Sequence, residues 1–175
     1  MKSLRWSWLF LALAACDGGK AAVPDGGGGG GPDTIIGAGD LELPPQGQAA
    51  LEAWLKAGHY KGWACEDGIH DKRFNGAHGR HRICSNRLLK ESLDGPYPVG
   101  AASVKEMFEA DDRFNGFAVG VKVAPGLEGS SWYWYERTGT SPTSRPVADG
   151  IGAKLCGPDC HVKAPRDHVF IRARE

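Results

Sequence analysis

The residues with the clearest chemical meaning are two cysteines and a histidine near the end of the chain, in the run CGPDCH from Cys156 through Cys160 to His161. Two thiols with a short spacer, followed at once by histidine, are typical of covalent c-type haem attachment, in which the histidine binds the iron. The usual spacer has two residues, whereas this one has three. One extra residue can be looped out while both sulfurs still reach the ring edge, so the spacing weakens the motif without abolishing it.

The same residues have other interpretations. Cys156 and Cys160 could close a small disulfide loop around Pro158 if their Cα atoms come within about 7 Å. His161 would then be an ordinary surface histidine. The cysteines and His161 could also bind zinc together with Cys65 or Cys84, although thiolate zinc sites are uncommon in oxidising compartments. The motif alone leaves these alternatives open.

The start of the chain predicts export. Lys2 and Arg5 precede an apolar run over residues 9–15, and L-A-A-C at residues 13–16 resembles a bacterial lipobox. We therefore expect residues 1–15 to be a signal peptide and Cys16 to become the lipidated first residue, although an ordinary signal peptide with a chance cysteine is the alternative. The run is shorter than the roughly 20 residues that span a bilayer, and no second apolar stretch follows. This predicts a bacterial envelope protein held to a membrane only by lipid, facing the periplasm or the outer surface.

The segment after the lipobox predicts a tether. Residues 16–45 contain the glycine run Gly26–Gly31 and four prolines. Such chain cannot bury enough apolar surface to offset its conformational entropy, so we expect it to be disordered. Residues 46–175 are then the folded part, a normal size for one domain with a single core.

The charge balance argues against a nucleic-acid partner. The chain has 21 basic and 21 acidic residues. Removing Lys2 and Arg5 with the signal peptide leaves 19 basic residues, or a net charge of about −2. Apart from the histidine-rich stretch over residues 70–87, which also holds Asp71 and a cysteine, no basic face of the kind that binds phosphates is indicated.

The remaining cysteines allow two arrangements. With Cys16 assigned to lipid, four are left, and in an oxidising compartment they could form two disulfides in any of three pairings. Alternatively, Cys65 and Cys84 form a structural disulfide worth about 3 kcal/mol while Cys156 and Cys160 hold a cofactor. We favour the second arrangement.

The hydrophobic pattern predicts an α+β fold, with an antiparallel sheet of about five strands and a few flanking helices. Helical spacing indicates helices over residues 46–57, ending at Gly58, and over residues 86–93, capped by Asn86. Alternating apolar residues and turn signals indicate strands over residues 80–85, 102–109, 117–123, 132–137 and 168–172. No predicted helix is long enough to bridge parallel neighbours, which favours antiparallel pairing.

Five landmarks in the folded part occur in a recognisable order. They are Tyr97–Gly100, Val104–Glu106, Gly116–Lys122, Ser131–Glu136 and, after the cysteine motif, Asp167–Phe170. This order resembles the cytochrome P-460 family, in which a P-x-G turn, a V-K-E strand, a glycine-bearing strand, a W-x-x-Y strand, the haem motif and a D-x-V-F strand follow one another. The resemblance covers roughly residues 54–170.

The resemblance implies one covalent, five-coordinate c-type haem with His161 as the proximal ligand. The family includes enzymes that oxidise hydroxylamine and the related cytochromes c'-beta, which bind small gases such as nitric oxide. Its members often dimerise, so a homodimer is implied as well. Nothing in the sequence indicates which protein would exchange electrons with it.

Two positions bear on the choice between these activities. In the oxidising members a lysine of the V-K-E strand is bonded to the haem edge, and Lys105 stands there, although a solvated strand lysine is the alternative. The oxidising members also place a carboxylate over the distal face from the strand matching residues 116–123, where a base is needed. Ala118 takes its place, and Phe114 or Phe117 is a candidate to cap the pocket instead.

These observations give three hypotheses. The first is a lipid-anchored mono-haem cytochrome that binds a ligand such as nitric oxide or passes single electrons. The second is an enzyme that oxidises hydroxylamine through a haem crosslinked to Lys105. The third is a haem-free, disulfide-stapled lipoprotein that serves as a binding module. His70, His78 and His81 could suggest a separate metal site, but without carboxylates at fixed offsets we expect exposed or core histidines.

Overall fold

The computed structural model describes residues 42–72, 76–141, 143–170 and 173. The predicted signal peptide, Cys16 and all but the last four residues of the predicted tether lie outside the described residues. Within the described part, no helix has the length and apolar character needed to cross a bilayer.

Two helices flank the sheet. Helix α1 spans Gln48–Ala57 and ends, as predicted, at Gly58, whose φ of 78° lies in the left-handed region that favours glycine. Helix α2 spans Arg87–Glu91, and the side chain of Asn86 caps it by accepting a hydrogen bond from the Leu89 N–H. Both predicted helices are therefore present, each shorter than expected. Three short 3₁₀ turns lie at residues 59–62, 129–131 and 161–163.

The strands form one antiparallel sheet in chain order, so each strand pairs with the next. They are β1 (Ala64–Cys65), β2 (Arg80–Ser85), β3 (Ala102–Phe108), β4 (Phe114–Lys122), β5 (Trp132–Thr138) and β6 (Ala148–Ile151). The predicted α+β class is confirmed, with six strands where about five were expected.

The differences lie at the ends of the sheet. Strands β1 and β6 are too short to show alternation in the sequence. The strand predicted over residues 168–172 is wrong for its described residues, because Arg166–Val169 form a tight turn with φ of 37° at Asp167 and 63° at His168. Positive φ at two successive residues is incompatible with an extended strand. Residues 171 and 172 lie outside the described part.

One face of the sheet is closed by α1. Leu51, Trp54 and Leu55 of the helix pack on apolar side chains from β3, β4 and β5. The strand residues of this core are Ala102, Val104, Val119, Val121, Tyr133 and Tyr135. This face is a conventional hydrophobic core.

The predicted pairing of Cys65 with Cys84 is confirmed. The two cysteines lie opposite each other on β1 and β2, with 4.0 Å between their Cα atoms, and are joined by a disulfide. The bond attaches the two-residue edge strand to the sheet.

Candidate functional site

The other face of the sheet carries a cavity of about 450 Å³. One row of residues crosses four neighbouring strands beneath it: Ile83, Lys105, Ala118 and Glu136. Ala118 has a small side chain, and Gly120, two residues further along β4, has none, so the ring of Trp134 packs directly against the Gly120 backbone. The volume is within the usual range of about 300–1,000 Å³ for ligand and cofactor sites.

The segment after β6 forms the opposite wall. Cys156, Cys160 and His161 all line this cavity, as does Lys105 from β3. The four residues that the sequence singled out for haem binding therefore meet in one place, although Lys105 lies far from the others along the chain. The structure leaves Cys156 and Cys160 as free thiols, so the small disulfide loop is not formed.

The extra residue of the motif is absorbed by a widened turn. Backbone N–H groups of Asp159, His161 and Val162 donate to carbonyls five residues earlier, over 3.0, 2.7 and 2.9 Å. This i→i−5 pattern is that of a π-bulge, which accommodates one residue more than an α-helical turn. The bond from His161 to the carbonyl of Cys156 closes the motif despite its three-residue spacer.

The ring of His161 is held in one tautomer by a backbone carbonyl. Its Nδ1 lies 2.7 Å from the carbonyl oxygen of His168, and since a carbonyl can only accept, Nδ1 must carry the proton. Nε2 then keeps its lone pair. Burial lowers the pKa of His161 to about 4, so the ring is neutral at physiological pH. The ring contacts Trp134 at 4.3 Å and Phe170 at 5.4 Å between centroids, which fixes its orientation.

The two thiols differ in exposure. Cys156 is buried and Cys160 is exposed, although both reach the cavity. Burial, with smaller contributions from Glu136 and Cys160, raises the pKa of Cys156 to about 12. In the folded chain the Cys156 thiol is therefore protonated and a poor nucleophile.

A carboxylate that sequence reasoning missed lies next to Ala118. Glu136 of β5 is directly opposite Ala118 of β4, and its Oε2 is 3.3 Å from Nε2 of His78. The pKa of Glu136 is lowered by its hydrogen bond with His78, which outweighs burial, and further by the charges of His78 and Lys105. Ala118 thus lacks the carboxylate, but the neighbouring strand supplies one to the same cavity. The cue was the pairing of β4 with β5, which a single sequence does not reveal.

The predicted aromatic cap is not formed as expected. Phe117 lies on the α1 face, where its ring contacts Tyr60, and Phe114 packs against Phe117. Phe117 alternates with Ala118 along β4, so the two side chains must face opposite sides of the sheet. The cavity is lined instead by Trp132, Trp134 and Phe170.

The histidines do not form a separate metal centre. His78 and His81 line the cavity, whereas His70 is not among the lining residues and is joined to His81 by two backbone hydrogen bonds. Among the described residues, no group of three or more His, Cys, Asp or Glu side chains is arranged to hold a metal ion. The arrangement therefore does not favour the zinc alternative.

The residues around the cavity fit a covalently bound haem. Among the described residues they supply two thiols that form no disulfide, a neutral histidine whose Nδ1 bonds to a backbone carbonyl, and aromatic walls. The indole Nε1 of Trp134 is buried and has no hydrogen-bond partner within the described part of the chain. An unsatisfied buried donor in a ligand-sized cavity is consistent with a bound group that carries acceptors.

Comparison with known proteins leaves the family as a resemblance. No family model, curated protein or solved structure matches this chain.

Proposed function

We propose that this protein is an exported, lipid-anchored mono-haem cytochrome that binds a small ligand such as nitric oxide or passes single electrons. The observation that carries the proposal is the convergence of Cys156, Cys160 and His161 on one cavity with Lys105. A haem bound there would supply an iron able to bind a small ligand or change its charge by one electron. The protein would provide two thioether bonds, one axial nitrogen and a mostly apolar enclosure.

Different residues of the chain would hold the iron and supply the charged groups of the cavity. His161 and its aromatic neighbours form the side that would hold the iron. Lys105, Glu136 and His78 supply charged and proton-carrying groups to the same cavity. Charged residues in a largely apolar cavity orient small polar ligands and exchange protons with them.

A second function, the oxidation of hydroxylamine, is favoured by the Glu136–His78 pair. Oxidation of this substrate releases protons, so a base must accept them. The lowered pKa of Glu136 keeps its carboxylate ionised at neutral pH, and His78 could pass a proton onward. Lys105 is the residue that would be bonded to the haem edge in this case, and it lies on the strand next to Ala118.

The primary test is the mass and spectrum of the purified protein. The full chain, produced in a host with haem-attachment machinery, should gain the mass of one haem and show a Soret band. The Cys156→Ala/Cys160→Ala variant should lose both, whereas Cys65→Ala/Cys84→Ala is the matched control and should keep them. A wild-type protein with the bare polypeptide mass and no Soret absorption would favour the haem-free binding module.

The two haem functions are separated at Lys105. Peptide mass spectrometry of the haem-loaded protein should find Lys105 unmodified if the protein only binds ligands or carries electrons. A crosslinked Lys105, together with hydroxylamine turnover that falls in Glu136→Gln, would support the enzyme instead. Lys163→Ala is the control, because Lys163 lines the cavity outside the sheet.

The proposed location has its own test. Cys16→Ala should move the protein from the membrane fraction to the soluble fraction, because the lipid would be its only anchor. A variant that stayed with the membrane would contradict the lipid anchor without bearing on the haem. Size-exclusion chromatography of that soluble variant would also show whether the protein is a homodimer.

A further inference from the structure

The turn that follows the haem motif is unusually well fixed to the rest of the fold. At Arg166–Val169 the chain reverses with two successive non-glycine residues at positive φ, 37° at Asp167 and 63° at His168. Residues other than glycine are strained at positive φ, so surrounding contacts must hold the turn in place. Three consecutive side chains provide those contacts.

Asp167 makes the central contact. Its carboxylate forms a fully buried ion pair with Lys122 of β4, with the Lys122 Nζ at 2.8 and 2.9 Å from the two oxygens. It also accepts hydrogen bonds from the indole of Trp132, at 3.0 Å, and from the Tyr97 N–H, at 2.7 Å. One side chain thus joins the turn to β4, to β5 and to the loop before β3.

The flanking residues add two further attachments. Arg166 donates to the carbonyls of Ser92, Asp94 and Gly95, and its guanidinium lies 4.0 Å from the ring centroid of Tyr97. His168 contacts the carbonyl of Leu127 through Nε2, at 2.8 Å. These contacts are with loops, whereas those of Asp167 reach two strands of the sheet.

The same turn also orients His161, the proposed axial ligand. The carbonyl of His168, the residue next to Asp167, is the acceptor for Nδ1 of His161. A hydrogen bond at Nδ1 fixes the tautomer and ring orientation of a metal-binding histidine. Any displacement of the turn would therefore move the acceptor that orients His161.

We infer that Asp167 is a positioning residue for the haem site, because its buried carboxylate anchors the turn whose His168 carbonyl orients His161. This rests on the proposed function for the identity of the bound group, but the anchoring of the segment is a property of the polypeptide alone. Asp167 does not itself line the cavity or contact the thiols, so it acts through the turn and through its hydrogen bond to Trp132, which lines the cavity.

The variant must remove the anchor without leaving a lone buried charge. Asp167→Asn would leave Lys122 buried and unpaired, which is strongly destabilising. Lys122→Met/Asp167→Leu replaces both partners with apolar groups of similar size and should fold. Asp159→Asn is the matched control, since Asp159 lies within the motif but pairs with Lys154 on the exposed surface.

The first measurement uses the full chain without haem. If the segment is anchored by Asp167, the buried Cys156 thiol should react with a thiol reagent on the order of tenfold faster in the double variant, because local opening becomes easier. Asp159→Asn should keep wild-type labelling and wild-type stability in urea, and labelling of the double variant should rise by more than its own loss of global stability explains. Wild-type labelling in a folded double variant would overturn the inference.

The second measurement uses the haem-loaded protein. The iron–histidine stretching band in the resonance Raman spectrum should shift or broaden in the double variant and stay unchanged in Asp159→Asn. An unchanged band would also overturn the positioning role.

If the wild type takes up no haem, the proposed function fails while the labelling result still decides the anchoring. If the double variant does not fold, Trp132→Phe removes one donor to Asp167, and it should change labelling in the same direction by a smaller factor.

Discussion

The two faces of the sheet are covered in different ways. On one face, α1 packs its apolar residues directly onto the strands and leaves a closed core. On the other, the segment after β6 stands off the sheet and encloses a cavity with ionisable side chains. The same alternating strands supply both faces, so the difference lies in what they carry: valines and tyrosines on one side, Ala118, Gly120, Lys105 and Glu136 on the other.

The two pairs of cysteines follow the same division. Cys65 and Cys84 are joined across two strands, whereas Cys156 and Cys160 stay unpaired at the cavity. One pair holds the fold together and the other is available for chemistry. If the proposed function holds, stability and function lie in different regions, and variants on each side should have separable effects.

The largest effect is expected on the cavity side. His161→Ala removes the nitrogen that would bind the iron, so the haem-loaded protein should lose its native axial coordination completely. The optical spectrum and the iron–histidine Raman band are the measurements. His59→Ala is the control, because His59 is exposed and pairs with Glu42 away from the cavity. A native spectrum in His161→Ala would contradict the assigned ligand.

On the closed face, the expected loss is in stability alone. Leu51 is fully buried in the core beneath α1, so Leu51→Ala should lower the free energy of unfolding by about 2–5 kcal/mol. Urea denaturation measures this, and Leu93→Ala, at an exposed position, should change it by less than about 0.5 kcal/mol. Haem content per folded molecule should be unchanged. A reduced haem content would show that the two faces are coupled.

Loss of the disulfide should lower the free energy of unfolding somewhat less than Leu51→Ala does. The two cysteines are 19 residues apart in the sequence. Cys65→Ala/Cys84→Ala opens the loop between them and should lower the free energy of unfolding by about 3 kcal/mol. Urea titrations of the variant and of the reduced wild type should agree. If reduction also released the haem or altered its spectrum, the separation of the cysteine pairs by role would be wrong.

The smallest predicted effect is a change in acid sensitivity. Burial alone would raise the pKa of Asp167, but hydrogen bonds from Lys122, Trp132 and the Tyr97 N–H outweigh it and lower the pKa below its ordinary value of 3.8. The unfolded chain therefore binds the proton more readily. The stability from Asp167 is present above about pH 3.8 and is lost as the pH falls through the lower, folded-state value.

The corresponding variant tests this directly. Asp167→Asn should be strongly destabilised at neutral pH, because Lys122 loses its counter-charge, yet its free energy of unfolding should fall less steeply than that of wild type below about pH 4. Urea titrations from pH 5 to acid measure the slope, with Asp159→Asn as the control. Equal slopes for wild type and Asp167→Asn would mean that the Asp167 carboxylate does not differ between the folded and unfolded states.

Much of the fold follows from local sequence. Alternation over β3, β4 and β5, the cap at Asn86 and the stop at Gly58 are local features, and all are confirmed. The short edge strands β1 and β6 were not predicted, because two or four residues are too few to show an alternating pattern. A strand was predicted over residues 168–172 from their apolar content, whereas residues 168 and 169 belong to the turn at Arg166–Val169, which buried contacts of Asp167 hold in place.

The candidate site was only partly predictable. The motif and the Lys105 position came from residue types and order, and the structure brings them to one cavity. The Glu136–His78 pair was missed because the meeting of these two residues depends on strand register and on a loop from another part of the chain. The wrong expectation that Phe117 caps the cavity could have been avoided from the sequence. Phe117 alternates with Ala118 along the strand and shares a face with Val119.

The chain-order arrangement of the sheet has a consequence for assembly. Because each strand pairs with the next, the sheet and its α1 core can form before the segment at residues 153–170 docks. Cys156, Cys160 and His161 all lie in that segment, where Cys156 is buried and Cys160 is exposed. In the folded chain a group to be joined to both sulfurs would meet one accessible thiol and one buried thiol, so bonding to Cys156 would require local opening of the segment. Attachment would then depend on how easily this segment opens rather than on the stability of the sheet.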